Sequence, residues 1–260
     1  MLLAIEVGNT ETTVGVFDGD RLAQHWRMRT VASRTTDEQA LMLSGFLGLE
    51  GISFDAITGV AISSVVPRVT QTLRRLSRRY IDVEPVVVGP GIRTGIPILT
   101  DNPREVGADR VVNAVAAYAA WGGPAIVVDF GTATTFDAVS AKGELLGVAI
   151  APGIQISVNA LADYTAQLGR VELARPRAAI GRNTVESMQA GIILGTAGEV
   201  DGIVRAMTAE LGGQATVVAT GGLATVMLDV CETIEHHDPW LTLRGLRMVF
   251  DLNAVPRARP

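Results

Sequence analysis

Short apolar runs separated by polar turns open the chain, and helical spacing appears only later. Leu2-Leu3-Ala4-Ile5 enters a strand at once, a polar turn follows Glu6, and the apolar residues Val14–Phe17 form a second strand. Asp18-Gly19-Asp20 then marks a hairpin into a third strand over Arg21–Trp26. Beyond this point the spacing predicts a helix over Asp37–Phe46, a strand over Gly59–Ser63 and a helix over Pro67–Tyr80. A strand over Glu84–Val88 and a helix over Pro103–Ala120 follow.

The opening recurs. Residues 3–8 read Leu-Ala-Ile-Glu-Val-Gly and residues 126–131 read Ile-Val-Val-Asp-Phe-Gly. Glu6 aligns with Asp129, Gly8 with Gly131 and Thr12 with Thr135. Each copy continues through an apolar run to a turn, Asp18-Gly19-Asp20 in one and Lys142-Gly143-Glu144 in the other, and then starts a third strand, the second at Leu145–Ile150. One acid-x-Gly match would be commonplace, but acid, glycine, threonine, hairpin and third strand returning in one order read as a duplication. The second half then predicts helices over Gln155–Ala166 and Thr184–Leu211, a strand over Ala215–Ala219, and helices over Leu223–Cys231 and Leu241–Leu252. The expected architecture is α/β, with two duplicated domains, 1–120 and 121–260, facing a central cleft and projecting one acid–glycine turn each.

Composition narrows the function classes. The chain has 260 residues, 48% of them hydrophobic and 19% charged, enough to bury a substantial core. A net charge of −5 gives no footprint for nucleic acid. The basic run Arg74, Arg75, Arg78 and Arg79 has the spacing of one solvated helix face. With Cys231 as the single cysteine no intramolecular disulfide forms, and the residue reads as a buried spectator in a reducing compartment. No basic leader precedes the first strand, and the long uncharged stretches 111–128 and 145–162 are broken by Gly122-Gly123-Pro124 and Pro152-Gly153. A cytoplasmic protein without a membrane span is expected.

The two turns carry the candidate chemistry. A glycine two residues after a strand-end carboxylate lets the backbone approach a ligand and present N–H groups to anionic oxygens. Asn9, Thr10, Thr12 and Thr13 add uncharged donors, and Asp129 to Thr135 offers the matching set. Acids so near phosphate require an intervening cation, most simply Mg²⁺. Neither Gly-x-Gly-x-x-Gly nor a Walker loop is present. Gly107-Ala108-Asp109-Arg110 precedes the apolar helix positions Val111, Val112, Ala114 and Val115. Asp109 suits a general base near the positive end of a helix, and Arg110 an anion clamp. The alternative is that Asp101 or Asn102 caps this helix and Asp109 pairs with Arg110. Asn183 or Thr184 reads as another helix cap, although a helix start also offers N–H groups to a carboxylate. Gly221-Gly222 fits either a strand-to-helix turn or a close approach to a nucleotide.

These residues resemble a known family. Ile5-Glu6-Val7-Gly8-Asn9-Thr10 resembles the Asp-x-Gly-Asn-Thr phosphate motif of type III pantothenate kinases, Gly107–Arg110 and Asp129–Thr134 resemble two further signatures, and Gly181-Arg182-Asn183-Thr184 resembles its second acceptor segment. The resemblance implies a ribonuclease H-like (actin-like ATPase) fold and ATP-dependent phosphorylation of pantothenate to 4'-phosphopantothenate, the first step of coenzyme A biosynthesis. It implies ATP contacts along Glu6, Val7, Gly8, Asn9, Thr10, Glu11, Thr12 and Thr13 and at Thr132. It also implies a monovalent cation, K⁺ or NH₄⁺, at Asp129, and Mg²⁺ at Glu6, directly or through water. Gly107, Ala108, Asp109, Arg110 and Thr184 would hold pantothenate, with Asp109 as base, in a homodimer. One position departs: the family has aspartate where this chain has Glu6, and Glu11 adds a second charge to the loop. A catalytically impaired nucleotide-binding regulator, or a kinase for another small hydroxyl acceptor, is the alternative.

Overall fold

The computed structural model describes residues 1–254, so residues 255–260 of the expected second domain lie outside the described residues. The chain forms two compact units. The first comprises Met1–Pro97, Asp101–Ala116 and the segment from Leu241, and the second comprises Ile98–Thr100 and Ala117–Trp240. This division does not run as two consecutive halves, because the C-terminal helix packs with the first unit.

In the first unit, β1 (Leu2–Val7), β2 (Glu11–Asp18), β3 (Arg21–Arg29), β4 (Gly59–Ser64) and β5 (Val86–Val87) form a sheet in the order β3-β2-β1-β4-β5. β1 runs antiparallel to β2 and parallel to β4. Period-two alternation sends Leu3, Ile5, Val7, Val14 and Val16 to one face, where they pack on Leu43 and Leu47 of α1 (Thr36–Leu49) and Leu73 and Leu76 of α2 (Pro67–Leu76). Thr35 and Glu38 close a capping box that starts α1. The helix expected over Pro67–Tyr80 is α-helical to Leu76 and finishes as a π turn, Ser77–Ile81. The basic run is solvated, with Arg78 bound to Glu84 and Arg79 to Asp37.

The helix expected from Pro103 begins later, as α3 (Ala108–Trp121), because Asn102 closes only a local turn by accepting from Arg104 N and donating to Glu105. The last helix among the described residues (Leu241–Asn253) covers the sheet face opposite α1 and α2. Leu243 lies against Gly15, and a Cβ on Gly59 would overlap the Phe250 ring, so glycine at both positions lets the helix approach the strands.

The second unit repeats this plan. It holds β6 (Ala125–Phe130), β7 (Ala133–Val139), β8 (Leu145–Pro152), β9 (Thr216–Thr220) and the short β10 (His236–His237), in the order β10-β9-β6-β7-β8. Read from the β8 edge, the order, the antiparallel β6–β7 hairpin and the parallel β6–β9 pair reproduce the first sheet. Ile126, Val128, Phe130 and Phe136 pack on α4 (Ile154–Tyr164) and α5 (Thr184–Glu210). The helix expected over Leu223–Cys231 contracts to α6 (Ala224–Met227), so the final helix, Leu241–Asn253, is α7. No helix among the described residues is long and apolar enough to cross a membrane.

Register corrects one detail of the repeat. Glu6 faces Thr13 and Val7 faces Thr12, whereas Asp129 faces Thr135 and Phe130 faces Thr134. Thr13, not Thr12, is therefore the counterpart of Thr135. The first turn carries one extra residue, closing Gly8 N on Glu11 O where the second closes Gly131 N on Ala133 O.

Candidate active site

Each sheet ends in the same polar row. Glu6 lies between Thr13 on β2 and Ser63 on β4, and Asp129 between Thr135 on β7 and Thr220 on β9. Cross-strand neighbours share a face, so each carboxylate is flanked by two hydroxyl-bearing residues. The burial patterns of β1 and β6 are identical, and the acid is the one partly exposed position in each. Glu6 Oε1 stands 3.4 Å from the place a Cβ would take on Gly8, and Asp129 Oδ1 stands 3.6 Å from the same place on Gly131. Despite its extra methylene, Glu6 keeps a carboxylate oxygen beside the turn glycine at a distance close to that of the aspartate.

Along the first turn, Asn9 and Thr10 are exposed, Val7 is buried in the core and Glu11 is paired with Arg27 at 3.7 Å. That ion pair offsets the second negative charge of the loop. Thr12 faces the opposite way from Glu6 and Thr13; it is 1% exposed and its hydroxyl meets that of Thr30 at 2.8 Å. In the second turn Thr132 is exposed. Gly153 packs directly on the Thr132 carbonyl, and a Cβ there would overlap it. Gly221, at φ +93, sits against Asp129 and the Phe130 backbone. Sequence reasoning singled out Gly221 but missed Thr30, Ser63, Gly153 and Thr220. Their signal is one of position, each lying at or just past the end of a strand bordering an acid–glycine hairpin.

Asp109 lies in the first turn of α3, partly exposed, and its Oδ1 accepts the Arg110 N–H at 2.9 Å. A Cβ on Gly107 would collide with that carboxylate. Glycine there leaves the Asp109 side chain its place. Asn183 caps α5 by accepting the Glu186 N–H at 2.9 Å, and Thr184 is exposed at the first helical position. Gly181 backs onto Ser187, which leaves no room for a side chain.

Among the described residues no three His, Cys, Asp or Glu side chains converge as a metal cluster. A cation at Glu6 or at Asp129 would draw on one carboxylate, ligand oxygens and water. That is an all-oxygen set, which suits Mg²⁺ and other hard cations. Cys231 is buried, and burial, helped by the Asp201 charge, pushes its thiol up to about 12. It is no nucleophile.

A sequence model of the type III pantothenate kinase family matches residues 2–206. The chain belongs to that family. It is 58% identical to a type III pantothenate kinase of Streptomyces avermitilis over 97% of this chain and 98% of the relative. It is 56% identical to one of Acidothermus cellulolyticus over 97% and 99%. Solved structures share the fold at low identity. A ROK hexokinase from Thermus thermophilus superposes with a TM-score of 0.51 at 13% identity, covering 95% of this chain and 97% of that one. An activator of 2-hydroxyisocaproyl-CoA dehydratase from Clostridium difficile, with bound ADPNP, superposes with a TM-score of 0.56 at 11% identity, covering 96% and 95%. The two five-stranded sheets thus share the duplicated ribonuclease H-like fold of these proteins.

Proposed function

We propose that this type III pantothenate kinase transfers the γ-phosphoryl group of ATP to the primary hydroxyl of pantothenate, giving 4'-phosphopantothenate and ADP as the first step of coenzyme A synthesis. The observation that carries this reading is the repeated hairpin in which a strand-end carboxylate lies beside a glycine, at 3.4 Å in one unit and 3.6 Å in the other. The Glu6 carboxylate oxygen beside Gly8 supports the catalytic reading over an impaired regulator.

The hydroxyl oxygen attacks the γ-phosphorus, the bond to the bridging oxygen of ADP breaks, and the hydroxyl proton passes to Asp109. Little covalent help is needed; alignment and charge stabilisation carry the rate. The turn from Gly8 to Thr13, with Thr132, presents backbone N–H groups and the Asn9, Thr10 and Thr13 side chains to phosphate oxygens, whereas Thr12, buried with its hydroxyl on Thr30, supports the turn from within the core and is no direct ATP contact. Glu6 would hold Mg²⁺, directly or through water, and that ion would neutralise charge developing on the phosphates. Asp129, between Thr135 and Thr220, offers oxygens for a monovalent cation. Gly107, Ala108, Arg110 and Thr184 hold pantothenate, the Arg110 guanidinium serving as clamp for its carboxylate.

A homodimer and a cytoplasmic location complete the reading. The apolar residues Leu146, Val148 and Ile150 along the edge strand β8 are exposed, and this apolar row supports a dimer in which a second copy would cover it. ADP release measured across pantothenate, acetate and sugars, with product mass determined, tests the function. Turnover is expected with pantothenate, and turnover with a sugar instead would overturn the acceptor assignment.

A further inference from the structure

The contacts that hold the first turn run through a residue outside it. Thr30, just past β3, donates its backbone N–H to the Thr10 carbonyl at 2.9 Å and its hydroxyl to the Gly8 carbonyl at 2.8 Å. A threonine hydroxyl has one proton to give. The 2.8 Å contact between the Thr12 and Thr30 hydroxyls must therefore be donated by Thr12. Thr12 is 1% exposed and locked by packing, so it fixes the Thr30 hydroxyl in turn.

Sheet register gives this brace a direction. Thr12 pairs with Met28, which places Thr30 on the Thr12 side of the sheet, the side of α1 and α2. The Gly8 carbonyl is drawn to that side. In a trans peptide the C=O of one residue and the N–H of the next point in opposite directions. Holding the Gly8 carbonyl therefore turns the Asn9 N–H toward the face that carries Glu6 and Thr13.

The second unit shows what the brace adds. Glu11 pairs with Arg29 and Ala133 with Pro152, so Gly153 stands where Thr30 stands. There Gly153 lies backbone against backbone on Thr132, and the buried Thr134 hydroxyl, counterpart of Thr12, has no hydrogen-bond partner among the described residues. The first turn is held by a hydroxyl relay through Thr12 and Thr30.

We propose that Thr30 is a positioning residue for the nucleotide, aiming the Asn9 N–H at phosphate oxygens of ATP by holding the Gly8 carbonyl. This rests on the reading of residues 8–13 as the phosphate turn. The test measures steady-state kinetics and the Kd of a non-hydrolysable ATP analogue for wild type, Thr30→Val, Thr30→Ser, Thr12→Val and Gly8→Ala. Thr30→Val is expected to raise the KM for ATP and the analogue Kd by about tenfold, with kcat and the pantothenate KM within about twofold of wild type. Thr30→Ser, which keeps the hydroxyl, is expected to restore both. Thr12→Val, which frees the Thr30 rotamer, should give a smaller rise of about threefold and reads the brace from its other end should Thr30→Val not fold. An unchanged ATP KM and Kd in Thr30→Val, or in Thr12→Val if that is the folded variant, overturns the proposal, as does failure of Thr30→Ser to restore them. So does a parallel loss of kcat and both affinities. Gly8→Ala separates the two claims: if it too leaves nucleotide binding untouched, the phosphate-turn reading itself fails.

Discussion

Gly221 rests on Asp129 so closely that a Cβ at residue 221 would overlap the Asp129 carboxylate and the Phe130 backbone. Its φ of +93 is also one that side-chain-bearing residues rarely adopt. The glycine after β9 therefore shapes the second acid–glycine turn from a neighbouring strand. Gly221→Ala is expected to lower stability by ~1–3 kcal/mol and to raise the K⁺ concentration needed for half-maximal rate. Denaturant unfolding and a K⁺ titration of the rate check the two effects. An unmoved K⁺ requirement would separate Gly221 from the cation site proposed at Asp129.

Glu6 and Asp129 each place a carboxylate oxygen beside the turn glycine, Gly8 or Gly131, at similar distances although their side chains differ in length. Glu6→Asp is accordingly expected to keep kcat/KM for ATP within about fivefold of wild type, whereas Glu6→Gln, which removes the charge, costs on the order of a hundredfold. Mg²⁺ titrations alongside the kinetics show whether the loss lies in metal use. A large rise in rate for Glu6→Asp would mean that glutamate impairs the native chain.

Asp201, buried on α5, pins the segment after Cys231 by accepting the N–H groups of Glu232 and Thr233 and the Thr233 hydroxyl. Burial pushes its carboxyl up, but these hydrogen bonds and the Arg205 charge together hold it below its usual value. A carboxyl lowered in the folded state binds its proton more readily when unfolded. Its contribution is thus full above the unfolded value, near pH 4, and fades as pH falls through the lower folded value. Asp201→Asn is expected to cost ~1–3 kcal/mol at neutral pH and to flatten this acid limb. Unfolding free energy measured from pH 7 down to about pH 3 checks both.

Much of the site could be read from the sequence because its signals are local. Acid-x-Gly at a strand end, a second copy of the same run, and Gly107-Ala108-Asp109-Arg110 before apolar helical spacing each declare themselves within a few residues. Long-range pairing hid the rest. That Thr13 and not Thr12 stands beside Glu6 depends on a turn one residue longer in the first hairpin. The roles of Thr30 and Gly153 depend on which strand ends lie next to which turns. α7 returned to the first unit because Leu243 and Phe250 fill a sheet face left open by Gly15 and Gly59, a fit between residues far apart in sequence. Asn102 looked like a cap, and its side chain does close a turn, but Gly107 sets the start of α3.

Asp109 carries the proton in this account, and Gly107 leaves room for its carboxylate. The most direct test is the rate of ADP release with pantothenate, Mg²⁺ and K⁺ for wild type and Asp109→Asn side by side. Steady turnover is expected of the native chain, with a fall of at least about a hundredfold in kcat for the variant and nucleotide binding retained. Equal rates for the two proteins would contradict it.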